Sequence, residues 1–265
     1  MADLKDKVVI ITGAANGIAL ATAKLFLSQG AKVASFDIAP PDPELKHEHR
    51  IDIVCDVSSD ESVTSAVKEV LDTWSTIDIL VNAAGIVDNF ARVTETTPEI
   101  WSRCLNINLT GPFNLMRTVI PHFLSKTTPP EAFTPTAQMP FPPAPPVVGR
   151  IINICSVAAQ KGGAAGAAYT TSKHALLGLS RNTSFMYTKD GIITNVVIPG
   201  GVMTNIVQNS KVMPDELGMA LVREGSRNMP GVCEADEVAR TVVFLASVKD
   251  LNGAEICVDR GWSAA

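Results

Sequence analysis

The chain has 265 residues, of which 46% are apolar and only 5% aromatic, and its net charge is −5. This length fits one large α/β domain with a mostly aliphatic core. The negative balance argues against nucleic acid or an anionic membrane surface as a main partner. The N-terminal residues lack an apolar signal region, and no run of ~18 apolar residues follows, so we expect a soluble, cytoplasmic protein.

The chain opens with a predicted strand, a glycine turn and a helix. Residues 7–12 are a continuous apolar run rich in β-branched side chains, which predicts a strand buried on both faces of a parallel sheet. Gly13 and Gly17 stand in the turn, and a helical pattern then extends to Gln29. Glycines let the backbone approach a pyrophosphate, and helix N-terminal N–H groups favour its negative charge. This segment therefore predicts a phosphate site.

Asp37 ends the second predicted strand, twenty residues after Gly17. At that spacing a dinucleotide fold places a carboxylate on the hydroxyls of the adenine ribose. The same carboxylate repels a 2′-phosphate, and no Arg or Lys stands at Asn16 or Ile38 to attract one. We therefore expect NAD(H) as the cofactor in preference to NADP(H).

Two further predicted strands end in residues suited to a flat ligand. Residues 51–55 lead into Asp56 and Val57, which we expect to contact the adenine. Residues 77–81 lead into the small residues 82–85, which leave room for a ring. His47 and His49 lie in a polar loop without further ligands at suitable spacing, so we expect no metal site.

A long helix is predicted from Thr97 to about Lys126. Asn108, Gly111 and Pro112 lie inside it, and this combination predicts a kink that frees backbone carbonyls. The segment that follows, residues 127–149, contains eight of the 17 prolines and is predicted to be an extended or disordered insertion loop. It joins a helix end to a strand start, and in a doubly wound sheet that edge lies away from the ligand.

Three side chains beyond this loop predict a proton-transfer site. The predicted strand 150–155 ends at Ser156, and the next helix carries Tyr169 and Lys173. Positions i and i+4 share one helix face, so the phenol and the ammonium lie side by side. A phenol has a pKa near ~10, and a neighbouring cation lowers that pKa. With a hydroxyl delivered from the strand end, the three groups suit an alcohol or carbonyl substrate.

The last part of the chain completes the predicted site. A sixth strand, 191–198, leads into Pro199 and Gly200, and Thr204 is placed to bond a ligand amide. Residues 202–230 are mixed apolar and polar, and we expect short helices there that cover the substrate and exclude water. Residues 235–247 are predicted as a helix and 255–258 as a final strand. Among the five cysteines, Cys55, Cys155 and Cys257 lie in apolar runs, where we expect buried, reduced thiols.

Together these motifs resemble the short-chain dehydrogenase/reductase family, in its common single-domain form, along nearly the whole chain. The motifs that carry the resemblance are Thr12-Gly13…Gly17-Ile18-Ala19, Asn82-Ala83-Ala84-Gly85, Asn108, Ser156, Tyr169 with Lys173, Pro199 to Thr204, and Val258-Asp259-Arg260-Gly261. The resemblance implies a Rossmann fold in one domain, residues 1–265, with a doubly wound seven-stranded parallel sheet and helices on both faces. Three departures from the pattern are Ala19 for a third glycine, Arg260 for a small residue, and the long proline-rich segment.

The resemblance also implies roles for the site residues. Tyr169 would be the general acid/base, Ser156 would polarise the substrate oxygen, and Lys173 would lower the pKa of Tyr169 and bind the nicotinamide ribose. Asn108 would hold a water that links Lys173 to solvent. The residues expected to bind the cofactor are Gly13, Asn16, Gly17, Ile18, Asp37, Asp56, Val57, Asn82, Ala83, Gly85, Tyr169, Lys173, Pro199, Gly200, Val202 and Thr204. A homotetramer, or a homodimer, built through the helices of Asn108 and Tyr169 is implied as well.

The expected substrate is an uncharged, fairly apolar secondary alcohol or ketone, alicyclic or terpenoid in type. The segments 86–91, 157–163 and 202–229 are the candidate pocket walls, and positive charge near them is limited to Lys161 and Arg92. The residues expected to contact the substrate are Ser156, Val157, Gln160, Tyr169, Met203 and Ile206. Because cellular NAD pools are mostly oxidised, alcohol oxidation is the expected direction.

Two other functions stay open from the sequence. One is an NADPH-dependent ketoreductase of a biosynthetic pathway, which Asp37 disfavours. The other is a dinucleotide-binding protein without redox turnover, acting as a scaffold, a sensor or a cyclisation catalyst. The intact set of Ser156, Tyr169 and Lys173 disfavours the second alternative, because a protein that only binds a dinucleotide has no need of it.

Overall fold

A seven-stranded parallel sheet forms the centre of the molecule. The computed structural model describes residues 3–127, 135–136, 139, 141–210 and 212–264. In chain order the strands are β1 (Val8–Thr12), β2 (Lys32–Asp37), β3 (Arg50–Val54), β4 (Ile79–Asn82), β5 (Gly149–Ile154), β6 (Ile192–Pro199) and β7 (Glu255–Val258). Their order in space is β3-β2-β1-β4-β5-β6-β7. The predicted doubly wound α/β fold is confirmed.

Helices cover both faces of this sheet. The helices are α1 (Gly17–Ser28), α2 (Asp60–Trp74), α3 (Pro98–Leu105), α4 (Gly111–Leu124), α5 (Ala167–Met186), α6 (Ile206–Ser210), α7 (Glu216–Gly225) and α8 (Ala235–Ser247). Helices α1 and α8 pack on one face, and α2, α4 and α5 pack on the other. Among the helices of the described residues, none combines the length and the apolar character needed to cross a bilayer.

The apolar strands follow from this double cover. In β1, Val8 and Ile10 pack against α2 and α4, while Val9 and Ile11 pack against α1 and α8. All five β1 residues are buried, so the strand shows no polar alternation. Each large aliphatic side chain buried in this way contributes about 1.5–3 kcal/mol.

The strand order reverses direction at β1, which pairs with both β2 and β4. The connections that leave β1 and β4 cross to opposite faces of the sheet and leave a crevice at the carboxyl ends of these two strands. Ligands of doubly wound sheets bind in such a crevice. The predicted site residues that follow β1, β2, β4, β5 and β6 are therefore delivered to one edge.

The helix around Asn108 is widened and continuous, where the sequence predicted a kink. Residues Asn106–Thr110 form a π-helical turn between α3 and α4, in which the Gly111 N–H reaches back to the Asn106 carbonyl. Pro112 has no N–H and cannot donate to the carbonyl four residues earlier, which belongs to Asn108. The wider turn accommodates this missing donor without a break, as π-turns inside helices commonly do near functional sites.

The proline-rich segment meets the sheet at the edge opposite the crevice. Residues 128–134, 137, 138 and 140 lie outside the described residues, so the prediction for them stays a prediction. Residues 141–148 have no regular secondary structure, as predicted. The Val148 N–H donates to the Gly191 carbonyl at 2.9 Å, just before β6 begins. The described end of the segment therefore lies at the amino ends of the strands.

The cysteines are buried with one exception. Cys55 and Cys155 are buried, as predicted, and so are Cys104 and Cys233. The predicted burial of Cys257 is wrong, because this residue lies in β7 at the edge of the sheet and its side chain is exposed.

We expect opposite effects on stability from alanine at two glycines. At Gly149, a Cβ atom would overlap the ring of Phe123, which is fully buried beneath β5. Gly149→Ala should therefore cost about 1–3 kcal/mol. Gly178 lies inside α5, and a Cβ there would meet no atom of the described chain within 4 Å. Gly178→Ala should stabilise by about 1 kcal/mol through helix propensity. Urea unfolding of both variants checks this, and equal midpoints would contradict it.

Candidate active site

The glycine turn after β1 touches the end of β4. Gly13 has a φ of +73°, and a Cβ there would lie 2.9 Å from the Cα of Ala84. The Thr12 hydroxyl accepts hydrogen bonds from the N–H groups of Ala83 and Ala84, both at 3.0 Å. Only glycine permits this conformation and this approach, so the crevice narrows at the predicted phosphate site.

The opposite wall of the crevice comes from the segment after β6. Gly17, with a φ of +59°, begins α1, and a Cβ on it would lie 3.3 Å from the Thr204 methyl group. Asn16 is the N-cap of α1, but its side chain makes no capping hydrogen bond. The first N–H groups of α1 are therefore not capped by the Asn16 side chain, as the predicted phosphate site requires.

Asp37 lies beside the same turn. Its carboxylate accepts hydrogen bonds from the N–H of Ala15 at 3.0 Å and from that of Ala39 at 2.9 Å. A cavity of about 170 Å³ opens next to it, and Arg50 lines that cavity. Sequence reasoning missed this cation. The buried guanidinium lies 2.5 Å from Asp52, so an aspartate already balances its charge.

Several residues expected near the cofactor have side chains that point elsewhere. The Val57 side chain is buried against the Cα of Gly111, and the Asp56 carboxylate bonds Ser58 in a local turn. The Asn82 amide donates to Asn153 at 2.8 Å inside the sheet. Pro199 ends β6, Gly200 packs against Asp259, and Val202 pairs with Cys233. Most of these side chains are therefore engaged with other parts of the protein, and the assignment of these residues to the cofactor stays a prediction.

Tyr169 and Lys173 lie on the first turns of α5 and are both buried, with 8% and 5% of their surface exposed. The Lys173 Nζ is 5.6 Å from the centre of the phenol ring and donates to the Ile154 carbonyl at 3.1 Å. The Ser156 hydroxyl accepts from the Ala158 N–H at 3.1 Å, and Ser156 lies close enough to the phenol to act on its pKa. The structure thus brings together the three groups that the sequence pattern connected.

Asn108 joins this group from the π-turn, where it is fully buried. Its side chain accepts from the Ile86 N–H and donates to the Ile86 carbonyl, both at 2.9 Å. It also donates to the Ser172 hydroxyl at 3.0 Å. A Cβ on Gly85 would lie 3.3 Å from the Asn108 amide oxygen and 3.6 Å from the Lys173 Nζ. Because Gly85 has no side chain, Asn108 and Lys173 can both lie close to its Cα.

Burial controls the protonation of the two central groups. It raises the pKa of Tyr169, and the nearby Ser156 hydroxyl opposes this rise only in part. Burial also lowers the pKa of Lys173. The sequence led us to expect a lowered pKa for the phenol beside a cation. In the protein without ligand the pKa of Tyr169 is raised instead, because the free-energy cost of removing the phenolate from water exceeds the stabilisation that its neighbours provide.

A small apolar cluster surrounds Tyr169. Its buried members are Val87, Cys104, Ala158, Ala165, Ala168 and Tyr169, with Phe90, Ala164 and Ile206 packed against them. Ile206 is thus near Tyr169, as expected for a substrate contact. Val157 instead packs in the core under α5, Gln160 is exposed and faces Cys257, and Met203 is 64% exposed.

Short helices follow β6, as predicted, and the loop after β4 holds them in place. The Ser210 hydroxyl accepts from the Val87 N–H at 2.9 Å, and the Ser210 carbonyl accepts from Arg103 at 2.9 Å. The Asp215 N–H donates to the Asn89 carbonyl at 2.8 Å. The segment 202–230, apart from residue 211, therefore lies over the end of β4 beside the apolar cluster.

Three buried polar residues of the site were missed from the sequence. Asp88, Ser172 and Ser210 each bond backbone or side chains that lie far away in the chain or on another element. Asp88 follows the Asn82–Gly85 motif directly, and Ser172 precedes Lys173, so proximity to a motif was the available signal. No group of three His, Cys, Asp or Glu residues that could hold a metal occurs in the described chain.

Three features are typical of an α/β oxidoreductase: the glycine turn after β1, the crevice at the carboxyl edge of the sheet, and the group of Ser156 with the buried Tyr169 and Lys173. Family models agree: one described as short chain dehydrogenase matches residues 7–129, and one described as enoyl-(acyl carrier protein) reductase matches residues 131–263. A short-chain dehydrogenase/reductase of Penicillium canescens, olcF, is 38% identical over 99% of both chains. The chain belongs to the short-chain dehydrogenase/reductase family, whose members bind a nicotinamide dinucleotide.

Other relatives and solved structures cover almost the whole chain as well. The asnovolin H dehydrogenase nvfC of Aspergillus novofumigatus is 33% identical over 99% of both chains. The structure of levodione reductase superposes with a TM-score of 0.80 at 27% identity, over 98% of this chain and 99% of that one. The ligand-free aldohexose dehydrogenase of Thermoplasma acidophilum gives a TM-score of 0.79 at 29% identity, over 100% of this chain and 96% of that one.

We expect Lys173→Met to stabilise the protein. Among the described residues no carboxylate pairs with this buried ammonium, whose pKa is lowered by burial. The unfolded chain therefore binds the Lys173 proton more tightly than the folded chain does. The buried charge lowers the free energy of unfolding, and this loss becomes smaller as the pH rises from the lowered pKa of Lys173 to the usual lysine pKa. The variant should gain about 1–2 kcal/mol at neutral pH. Urea unfolding across pH measures this.

Lys126→Met is the matched control for this prediction. Burial lowers the pKa of Lys126 too, but this lysine lies 3.9 Å from Asp78 and donates to the Ile77 carbonyl at 2.6 Å. Its removal should leave stability unchanged or reduced. A loss of stability in Lys173→Met as large as in Lys126→Met would show that Lys173 holds the fold together.

Proposed function

We propose that the protein is an NAD(H)-dependent oxidoreductase that interconverts a secondary alcohol and a ketone on an uncharged, fairly apolar, alicyclic or terpenoid small molecule. One observation carries this proposal. The Tyr169 phenol is buried beside Lys173 and next to Ser156, at the crevice that begins at the glycine turn. Family membership supports the reaction class, and the site geometry supports the assignment of roles.

Proton transfer is the part of the reaction that these side chains would perform. In alcohol oxidation, Tyr169 would take the hydroxyl proton of the substrate as a general base, and in reduction it would return that proton. Ser156 accepts from the Ala158 N–H, and its own proton would be available to donate to the substrate oxygen. A bound nicotinamide ring would accept or supply the hydride.

Lys173 and Asn108 would support the phenol. The Lys173 ammonium lies on the same helix face, one turn from Tyr169, and Coulomb attraction inside a buried site favours phenolate. Asn108 fixes the loop after β4 through its two bonds to Ile86. We propose that its backbone in the π-turn holds the water that connects Lys173 to solvent.

The cofactor preference follows from Asp37. Its carboxylate is fixed by two backbone N–H groups beside the glycine turn, where it would bond ribose hydroxyls and repel a 2′-phosphate. Arg50 is the nearby cation; its Nε donates to Ser35, its Nη1 donates to the Leu45 carbonyl, and its charge is balanced by Asp52 at 2.5 Å. We therefore keep NAD(H) as the proposed cofactor.

The substrate class follows from the surroundings of Tyr169. The neighbouring side chains are aliphatic or aromatic, namely Val87, Phe90 and Ile206. Arg92, a nearby cation, forms an ion pair with Glu95. A relative named asnovolin H dehydrogenase and a structural neighbour named levodione reductase are in keeping with the oxidation or reduction of uncharged small molecules.

Nicotinamide absorbance with a panel of cyclic and linear secondary alcohols tests this function. Wild type should reduce NAD, and Tyr169→Phe should lose about 10²–10⁴-fold in rate because its general base is gone. Tyr187→Phe is the matched control, since this is the second of the two tyrosines and it ends α5 away from the site. A titration should show tighter binding of NADH than of NADPH.

Three results would contradict the proposal. Full activity in Tyr169→Phe would remove the assigned base, and equal or tighter NADPH binding would remove the cofactor preference. Turnover of only phosphorylated or carrier-bound substrates would remove the substrate class. Tight NADH binding without any turnover would favour a dinucleotide-binding protein without redox activity.

We also propose a homotetramer, or a homodimer, that forms through α4 and α5. Phe113 on α4 and Phe185 and Met186 on α5 are large apolar side chains that stay exposed in the single chain. Such side chains on adjoining helices suit burial against a second copy. Light scattering should give the mass of an oligomer at micromolar concentration, and a monomer would contradict this.

A further inference from the structure

Helix α5 begins without a cap of its own. Its N-cap is Gly166, which has no side chain, and its first turn contains no acidic residue. Four N–H groups at a helix start lack partners inside the helix, and a buried helix start needs acceptors from elsewhere. This helix carries Tyr169 in its first turn, so whatever fixes its start also fixes the phenol.

Asp88 supplies the missing acceptors from the loop after β4. Its carboxylate accepts from the Tyr169 N–H at 2.8 Å and from the Gly166 N–H at 3.3 Å, across 81 and 78 positions of the chain. It also accepts from the Phe90 N–H at 3.0 Å. Only 1% of its surface is exposed. A buried carboxylate at a helix N-terminus is stabilised by these donors and by the helix dipole.

The fit around this carboxylate is tight. A Cβ on Gly166 would lie 2.6 Å from both carboxylate oxygens, so glycine at the N-cap is required by Asp88 and not only by the turn. The Ala167 N–H donates to the Ala91 carbonyl at 3.0 Å, which ties the same loop to the same helix start. The loop that follows β4 therefore fixes the start of α5 and with it the position of the phenol.

Asp88 also brings a carboxylate close to the residue that carries the phenol, because it accepts from the N–H of Tyr169 itself. The ionisable groups that face Tyr169 are Lys173 on its own helix, Cys155 from the end of β5, Cys104 from α3 and Asp88 itself. Burial raises the pKa of both thiols, that of Cys104 to about 11, so both are neutral at neutral pH.

We propose that Asp88 is a positioning residue of the active site: it fixes the first turn of α5, and its carboxylate opposes the formation of a second negative charge on the nearby phenol. This inference rests on the proposed role of Tyr169 as general acid/base. Asp88 touches only backbone N–H groups and acts through Tyr169. Lys173 and Asp88 therefore bias the same phenol in opposite directions, towards phenolate and towards phenol.

The pH dependence of turnover separates this role from that of a simple cap. Alcohol oxidation requires phenolate, so its rate should rise with pH to a plateau, and ketone reduction should fall over the same range. Removing a nearby negative charge favours phenolate and moves both midpoints to lower pH. For Asp88→Asn we expect a shift of at least about 0.5 pH unit, or about threefold faster oxidation below the midpoint.

The matched control is Asp215→Asn. Asp215 is the N-cap of α7, where its carboxylate accepts from the Gly218 N–H at 2.7 Å, so the variant removes a capping charge of the same kind. Its carboxylate caps α7, whereas Asp88 accepts from the first turn of the helix that carries Tyr169. Both variants should lower the melting temperature, and only Asp88→Asn should move the pH midpoints of turnover.

The experiment measures kcat against pH for wild type, Asp88→Asn and Asp215→Asn, with the nicotinamide cofactor and the best alcohol of the panel. A lower melting temperature with unchanged midpoints would overturn the proposal and leave Asp88 as a cap. If Asp88→Asn does not fold, the same measurements are made on Asp88→Ser, in which a neutral hydroxyl can still accept a hydrogen bond. Failure of both to fold would also overturn the proposal, since Asp88 would then serve folding.

The outcome for Asp88 is distinguishable from that for the function itself. If Tyr169→Phe abolishes turnover and Asp88→Asn leaves the midpoints unchanged, only the role of Asp88 is lost. If Tyr169→Phe retains turnover, the assigned base is wrong, and the proposal for Asp88 falls with it.

Discussion

The site depends on keeping a phenol and an ammonium out of water. Tyr169 and Lys173 are both buried, and burial disfavours the charged form of each. Such groups stay in place only when backbone and side chains supply hydrogen bonds in return. The Ile154 carbonyl accepts from Lys173, and Asp88 accepts from N–H groups at the start of the helix that carries both residues. Ser156 lies beside Tyr169 and opposes the rise in its pKa. The burial of Tyr169 and Lys173 on α5 therefore has an electrostatic cost, which these hydrogen bonds offset in part.

The sheet topology explains how so many segments reach one point. In a parallel sheet all strands end at the same edge, so the turns after β1, β4, β5 and β6 converge there. Close backbone contact, as between Gly13 and Ala84, keeps the convergence narrow. The proline-rich segment enters at the other edge, beside Gly191, where added chain length does not disturb the crevice.

Local patterns predicted the strands, the helices and the residues that end strands, because periodicity and turn chemistry are local properties. They could not show which way a side chain points at a strand end: the side chains of Val57, Asn82 and Val157 pack inside the protein, and the assignment of these residues to ligands stays a prediction. Cys257 was misjudged because edge strands also look apolar. Asp88 escaped notice because its partners lie about 80 positions away, and no local rule connects them.

Those long separations have a consequence for how the protein folds. The bonds from Thr12 to Ala83, from Asn82 to Asn153 and from Asp88 to Tyr169 span 71, 71 and 81 positions. Closing such loops costs entropy before any contact offsets it, and chains rich in distant contacts fold slowly. The crevice can assemble only after both halves of the chain have met on the sheet. Recovery of turnover after dilution from denaturant would therefore lag behind recovery of helical signal, and activity would report the final stage of folding.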